Sequence, residues 1–300
     1  MRTLVTGGTG FVGSNLAFEL EKQGHDVVVI GSRAEPALAG FSGTVLYREN
    51  GRLPLESIGH IDVLFHQGAN ADTSILDREQ MFRDNVEDSR AVFEYALKNG
   101  AHHITYASST AVYGNLPTPY KEDGPVAPLN PYGESKAALD TYAMDFARNN
   151  PAVRVIGLRY CNVYGPREAH KGKMASMIYQ LATQMHQGNP RIFKWGEQKR
   201  EYIYVKDVVE ANISSLTANE STVVNCSSGV PVSFNELVRI LNKVLGLDRV
   251  PEYIDNPYEG LYQNHIECDI SRMADVLGFR PAYTVETGIR DYFDSGFLSR

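Results

Sequence analysis

Through the first half of the chain, short runs rich in valine and isoleucine alternate with longer stretches whose apolar residues recur every three or four positions. The runs read as strands at Thr3–Thr6, Val27–Ile30, Val45–Tyr47, Val63–Gln67, Ile104–Ala107 and Val153–Leu158. The stretches read as helices over Phe11–Gln23, Asp77–Lys98 and Pro131–Arg148. Asn130 supplies a cap for the last of these, and Pro131 fits its first turn, where a missing N–H costs nothing. Apolar strands separated by helices imply a parallel sheet covered on both faces, so the expected fold class is α/β with a doubly wound sheet.

Beyond residue 160 the pattern is mixed: helices at Met174–Gln187, Asp207–Leu216, Phe234–Leu245 and Ser271–Leu277, with short strands near Arg191–Trp195 and Glu201–Val205. No stretch rich in Pro, Gly or Ser divides the chain, and there is no internal repeat. The expectation is a sheet domain of residues 1–161 with roughly 206–232, and a smaller mixed α/β lobe of roughly 162–205 and 233–300.

Composition narrows the partners. With 43% hydrophobic and 22% charged residues over 300 positions, the chain reads as an ordinary globular protein. A net charge of -7 argues against a nucleic-acid or anionic membrane surface, which needs a basic stripe. No apolar run approaches the ~20 residues that cross a bilayer. Cys161, Cys226 and Cys268 form no CxxC pair, which points to a reducing compartment, read here as cytoplasmic. The eight histidines show no HExxH or His-x-His grouping, and no metal is called for.

Thr6-Gly7-Gly8-Thr9-Gly10-Phe11-Val12-Gly13 ends the first strand and opens the first helix, the context in which a glycine-rich loop holds a dinucleotide. Gly7 permits the sharp turn, Gly10 a close approach of backbone to pyrophosphate, and Gly13 close packing of helix on strand. The sheet is therefore expected to be of the Rossmann type. The second strand ends Val29-Ile30-Gly31-Ser32-Arg33, with no carboxylate to accept the ribose hydroxyls of NAD. Ser32 and Arg33 suit a 2′-phosphate, so NADP is expected, with NAD left possible if Arg33 is a solvated loop residue.

Tyr132 and Lys136 stand at i and i+4 and share one face of the helix that starts at Pro131. A cation beside a phenol stabilises the phenolate, and the expectation is a Tyr132 pKa lowered towards the working range of a general acid/base. Ser109 follows the fifth strand, at the carboxyl end where ligands of such sheets bind, and can bond the oxygen being oxidised.

These motifs together resemble the extended short-chain dehydrogenase/reductases, whose members carry a Rossmann domain and a smaller substrate domain. Gln67-Gly68-Ala69 after Asp62-Val63-Leu64-Phe65-His66, Asn85 in the following helix, and Arg159-Tyr160-Cys161-Asn162-Val163-Tyr164-Gly165-Pro166-Arg167 extend the match. Within that superfamily, Tyr164-Gly165-Pro166-Arg167-Glu168-Ala169-His170-Lys171-Gly172-Lys173-Met174-Ala175-Ser176 is similar to the signature of the ADP-L-glycero-D-manno-heptose 6-epimerases. The resemblance implies a nucleotide-sugar epimerase of lipopolysaccharide biosynthesis with bound NADP, often a homo-oligomer.

It also implies roles. Gly7, Gly10, Phe11, Val12, Gly13, Ser32, Arg33, Gln67, Gly68, Ala69, Asn85, Tyr132, Lys136, Val163 and Lys171 would hold the cofactor. Ser109, Asn162, Lys173, Gln180, Phe193, Arg200 and Tyr262 would hold the sugar nucleotide. Inverting a carbinol removes a hydride, turns the ketone and returns the hydride to the other face, so a proton donor is needed in each orientation. By resemblance these are Tyr132, acting with Ser109 and Lys136, and Lys171; a phosphate clamp is the other reading of Lys171. At Lys173 and Gln180 the family more often carries serine and histidine, which leaves the sugar open. A UDP-hexose 4-epimerase shares the general motifs but does not account for the His-Lys-Gly turn. A 4,6-dehydratase would need acids where this chain has Thr110 and Ala111, and an NADP-sensing protein would not need the Ser109, Tyr132 and Lys136 set.

Overall fold

The computed structural model describes residues 1–32, 38–49, 53–256 and 264–298. The first half runs β1 (Arg2–Thr6), α1 (Phe11–Lys22), β2 (Asp26–Gly31), β3 (Thr44–Tyr47), β4 (Val63–His66), α2 (Arg78–Phe82), α3 (Asp88–Lys98), β5 (His103–Ser109), α4 (Pro131–Asn149) and β6 (Arg154–Tyr160). There follow β7 (Val163–Tyr164), α5 (Met177–Gln187), β8 (Arg191–Phe193), β9 (Lys199–Arg200), β10 (Ile203–Tyr204) and α6 (Val205–Ser214). The chain continues with β11 (Thr222–Cys226), β12 (Val232–Ser233), α7 (Phe234–Leu245), β13 (Glu252–Ile254), α8 (Ser271–Leu277) and α9 (Val285–Asp294).

Seven strands form one sheet in the order β11-β6-β5-β4-β1-β2-β3, with every pairing parallel. Both faces are covered, and alternate residues of one strand serve opposite faces. Leu4, Val28 and Ile30 pack with Phe93, Leu139 and Phe146 of α3 and α4. Val5, Val27 and Val29 pack with Leu16 and Leu20 of α1 and Val209 of α6. A third cluster joins Leu181 and Met185 of α5, Leu237 and Leu241 of α7, and Ile289 and Tyr292 of α9. Each such aliphatic side chain, removed from water, contributes about 1.5–3 kcal/mol before the entropy of ordering is counted.

The order reverses at β1, which pairs β2 on one side and β4 on the other. In a doubly wound sheet this reversal opens a crevice at the carboxyl ends of the strands. Thr6 and His66 face each other across the two strand ends, and the glycine loop starts there.

The structure departs from the expected elements at several points. The helix expected over Asp77–Lys98 is α2 and α3 joined by a π turn at Arg83–Glu87. The helix expected from Met174 starts at Met177, because Ser176 caps it by accepting from the Tyr179 amide. The strand expected over Glu201–Val205 shortens to β10, since Val205 already belongs to α6. The edge strand β11, the short strands β7, β9, β12 and β13, and the helix α9 were not expected at all.

Candidate functional site

A cavity of about 850 Å³ lies over the crevice. Gly7, Gly10, Phe11, Val12 and Gly13 form one side of it, with Ser32, Gln67, Gly68 and Ala69 beside them. Gly10 caps α1 without a side chain, and the first amides of that helix lack partners within it, so they present donors to an anion. The fit is tight: a Cβ on Gly13 would lie 2.3 Å from the Gly7 carbonyl oxygen. Gln67 is held in a closed set of bonds, donating to Asn212 Oδ1 at 2.9 Å and accepting from Tyr160 at 2.8 Å.

Tyr132, Lys136 and Ser109 meet in the same cavity. The Lys136 ammonium donates to the Ala107 carbonyl at 2.9 Å and lies 5.9 Å from the centre of the Tyr132 ring. Burial pulls its pKa down to about 8, with the Asp140 carboxylate acting the other way. The Tyr132 phenol does not follow the expectation. Burial holds it above the ordinary tyrosine value, and the hydrogen bond with Ser109 offsets this in part. The ammonium is spent on a main-chain carbonyl and is not among the groups that shift the phenol, so the residues alone do not lower it. Next to Ser109, the hydroxyl of Ser108 lines the cavity, is buried and has no hydrogen-bond partner among the described residues, as expected of a group that meets a ligand. The amide-lined glycine loop and this unpaired hydroxyl fit a dinucleotide laid along the crevice.

Beneath this group runs a buried network. Asp140 accepts from Arg159 Nε at 2.9 Å and from the Tyr106 hydroxyl at 3.0 Å. Arg159 also donates to the Tyr113 hydroxyl at 2.7 Å, which donates in turn to Asn225. The chain ties α4, which carries Tyr132 and Lys136, to β5, β6 and β11. On the other side of Lys136, His66 bonds Thr6 at 2.7 Å and Ser89 at 2.8 Å, and burial pushes its pKa down to about 3, keeping it neutral.

Lys171, Asn162 and Val163 line the cavity from the second half of the chain. Lys171 lies in a helical turn over Ala169–Met174, interrupted at Gly172, and its amine sits 5.3 Å from the centre of the Phe11 ring. Burial lowers its pKa and Glu168 raises it. Asn162 adopts a positive φ of 41° and donates to the Glu201 carbonyl at 2.8 Å. Strain of this kind in a non-glycine residue is maintained where the surroundings fix it, often at ligand sites.

Other expected site residues stand off the wall. Asn85 lies in the π turn, fully buried, bonding the Asn70 main chain and the Ser135 hydroxyl behind the cavity. Gln180 donates to the carbonyls of Lys173 and Ala175 and so fastens the Lys171 loop from below. Lys173, Phe193 and Arg200 are not among the lining residues either, and the Arg200 guanidinium donates to the Lys199 carbonyl at 3.0 Å. Arg33 and Tyr262 lie outside the described residues. His170, Met174, Met177 and Tyr202 line the cavity without having been given a role, although His170 adjoins Lys171 and Met174 adjoins Lys173.

A glycine cradle, a Ser/Tyr/Lys set and a doubly wound sheet define a dinucleotide-dependent oxidoreductive fold. The chain belongs to the NAD dependent epimerase/dehydratase family, whose model matches residues 3–227. It is 36% identical to the ADP-L-glycero-D-manno-heptose-6-epimerase of Alkalilimnicola ehrlichii, over 97% of this chain and 96% of that one. The crystal structure of the Helicobacter pylori ADP-L-glycero-D-manno-heptose-6-epimerase is similar with a TM-score of 0.88 at 36% identity, covering 98% of this chain and 95% of that one. A UDP-glucose 4-epimerase from Thermotoga maritima, solved with UDP-glucose, gives a TM-score of 0.87 at 27% identity, covering 99% of each chain.

Proposed function

We propose that the protein inverts C6 of an ADP-linked heptose, interconverting the D-glycero and L-glycero forms, with NADP as its resident cofactor. The single observation that carries this is the convergence of Lys171 on the cavity that holds Ser109, Tyr132 and Lys136. One proton-transfer set suffices to oxidise a carbinol, and a second group is useful only if the ketone must be reduced in another orientation. The similarity to 6-epimerases at 36% identity over nearly the whole chain supports the heptose.

In this reading a bound nicotinamide supplies the place to which a hydride goes and from which it returns. Lys136 would hold the ribose of the dinucleotide by its ammonium. The Ser109 hydroxyl would bond the carbinol oxygen while Tyr132, as its phenolate, would take that oxygen's proton and become the phenol; the positive charge of an oxidised nicotinamide would favour the phenolate that burial alone disfavours. Lys171 exchanges the proton when the other face is presented. Asn162 bonds the sugar, with residues 162–205 and 233–300 forming the substrate lobe. Ser32 at the end of β2, with no carboxylate beside it, supports NADP over NAD. The protein would work in the cytoplasm as a homo-oligomer paired through α2, α3 and α4, in lipopolysaccharide biosynthesis.

The test is to identify the copurified dinucleotide by mass spectrometry and follow ADP-D-glycero-β-D-manno-heptose by proton NMR. Formation of the L-glycero epimer without net redox change is expected. No conversion of the heptose, with conversion of UDP-glucose to UDP-galactose, would replace the reading with a hexose 4-epimerase.

A further inference from the structure

The loop that carries Lys171 is closed at its base by one buried carboxylate. Glu168 is fully buried. Its Oε1 accepts from the Gly165 amide at 3.0 Å and the Ser176 hydroxyl at 2.9 Å, and its Oε2 accepts from the Ser176 amide at 2.6 Å. Gly165 is the last residue before the loop and Ser176 caps α5 after it, so this side chain pins both ends together. The Lys171 amide also donates to the Glu168 carbonyl at 2.9 Å, and the buried Tyr292 phenol lies beside the carboxylate.

The two carboxylate oxygens accept three hydrogen bonds, which favour the ionised acid; burial raises the Glu168 pKa, and these bonds together with the Lys171 ammonium act against it. A glutamine has the same shape but one acceptor oxygen, and its amide group would face an amide or a hydroxyl proton. The carboxylate has a second consequence. Lys171 packs against the uncharged face of Phe11, and among the described residues Glu168 is the charged group that acts on its amine.

We propose that Glu168 is a positioning residue for epimerisation: its charge closes the loop between Gly165 and Ser176 and so fixes the Lys171 amine in the cavity. This rests on the reading of Lys171 as the second proton-transfer group. A misplacement of about 1 Å in a reacting group costs on the order of 100-fold in rate, so loosening one clasp is expected to act on turnover rather than on binding.

The experiment compares Glu168→Gln, Glu168→Asp and Lys171→Met as purified holoproteins with ADP-heptose. It reads kcat and KM together with the 13C NMR titration of the Lys171 amine after reductive 13C-methylation, the signal being assigned by its loss in Lys171→Met. The proposal expects kcat of Glu168→Gln to fall roughly 10–100-fold with KM within about threefold. It also expects the Lys171 signal to titrate at lower pH, since removing a carboxylate disfavours the ammonium, and partial recovery of both in Glu168→Asp. Wild-type kcat in Glu168→Gln with an inactive Lys171→Met overturns the proposal and leaves the reading standing. Full activity of Lys171→Met overturns the reading itself, and the proposal with it. A lowered kcat with an unmoved Lys171 signal means a merely structural role and also overturns it. Should Glu168→Gln not fold, Ser176→Ala removes one donor and keeps the charge; a smaller loss of kcat with a shifted Lys171 signal supports the clasp, and wild-type values for both overturn it.

Discussion

Lys136 and Lys171 are two cations with depressed pKa values on one cavity, supported in different ways. Lys136 stands on a helix of 19 residues, four residues from Tyr132, above a buried network that joins that helix to three strands. Lys171 stands on a loop whose ends the Glu168 carboxylate joins and which Gln180 fastens by two further bonds. On the helix side, geometry is shared among many groups, so damage there is expected to appear as lost stability. On the loop side, position depends on few bonds and little core, so damage is expected to appear as lost turnover. The general lesson is that two groups proposed for one reaction need not be held at the same energetic level.

The largest effect is expected at the reacting oxygen itself. Tyr132→Phe removes the phenol while keeping the ring, and should lower kcat about 10²–10⁴-fold with the dinucleotide retained, read by NMR conversion and mass spectrometry. Turnover at the wild-type rate would mean that the helix side does not carry the proton. Next is the support below it. Asp140→Ala leaves the Arg159 guanidinium and the Tyr106 hydroxyl buried without their acceptor, and should cost about 3–5 kcal/mol in urea unfolding. A loss smaller than that of Glu168→Gln would invert the comparison.

A third prediction follows from the Lys136 pKa of about 8. The folded value lies below the ordinary lysine value, so the unfolded chain binds more protons between the two, and this group's contribution to stability rises with pH across that window. A ribose or phosphate that bonds the ammonium reverses the shift. Dinucleotide binding to the stripped protein should therefore take up protons, most strongly a little above pH 8, as read by calorimetry in buffers of different ionisation enthalpy. Proton release instead would place Lys136 as a neutral amine in the complex.

The helix side was also the more legible. Short apolar runs announce β1, β2 and β4, and the glycine loop and the Tyr132/Lys136 spacing are local patterns that need no tertiary knowledge. β11 escaped because five residues at a sheet edge, with Asn225 and Cys226 among them, resemble a loop until β6 pairs with them. α9 carried its signal openly, since Val285, Ile289 and Tyr292 share a face and Thr284 caps the helix. The π turn around Asn85 has no such signal, because apolar spacing runs through it almost unchanged. Glu168 was quoted within a motif but its work was hidden, as its partners are main-chain amides brought together only by the folded loop. The pairing of Asp140 with Arg159 likewise depends on α4 packing against β6.

The smallest expected effect on stability separates the two sides most cleanly. Gly172 adopts φ 54° and ψ -119°, a region closed to other residues, and a Cβ placed there meets nothing within 4 Å. A strained residue in a fixed backbone costs on the order of 1–3 kcal/mol, but an open loop escapes most of it by moving. Gly172→Ala should therefore lower unfolding stability by less than about 1 kcal/mol while kcat falls several-fold as Lys171 shifts. Gly13→Ala is the contrasting case, where the new methyl meets the Gly7 backbone and cannot move away, and dinucleotide binding should be lost. If Gly172→Ala instead lost stability with kcat intact, the loop would be as firmly built as the helix, and the difference drawn between the two lysines would disappear.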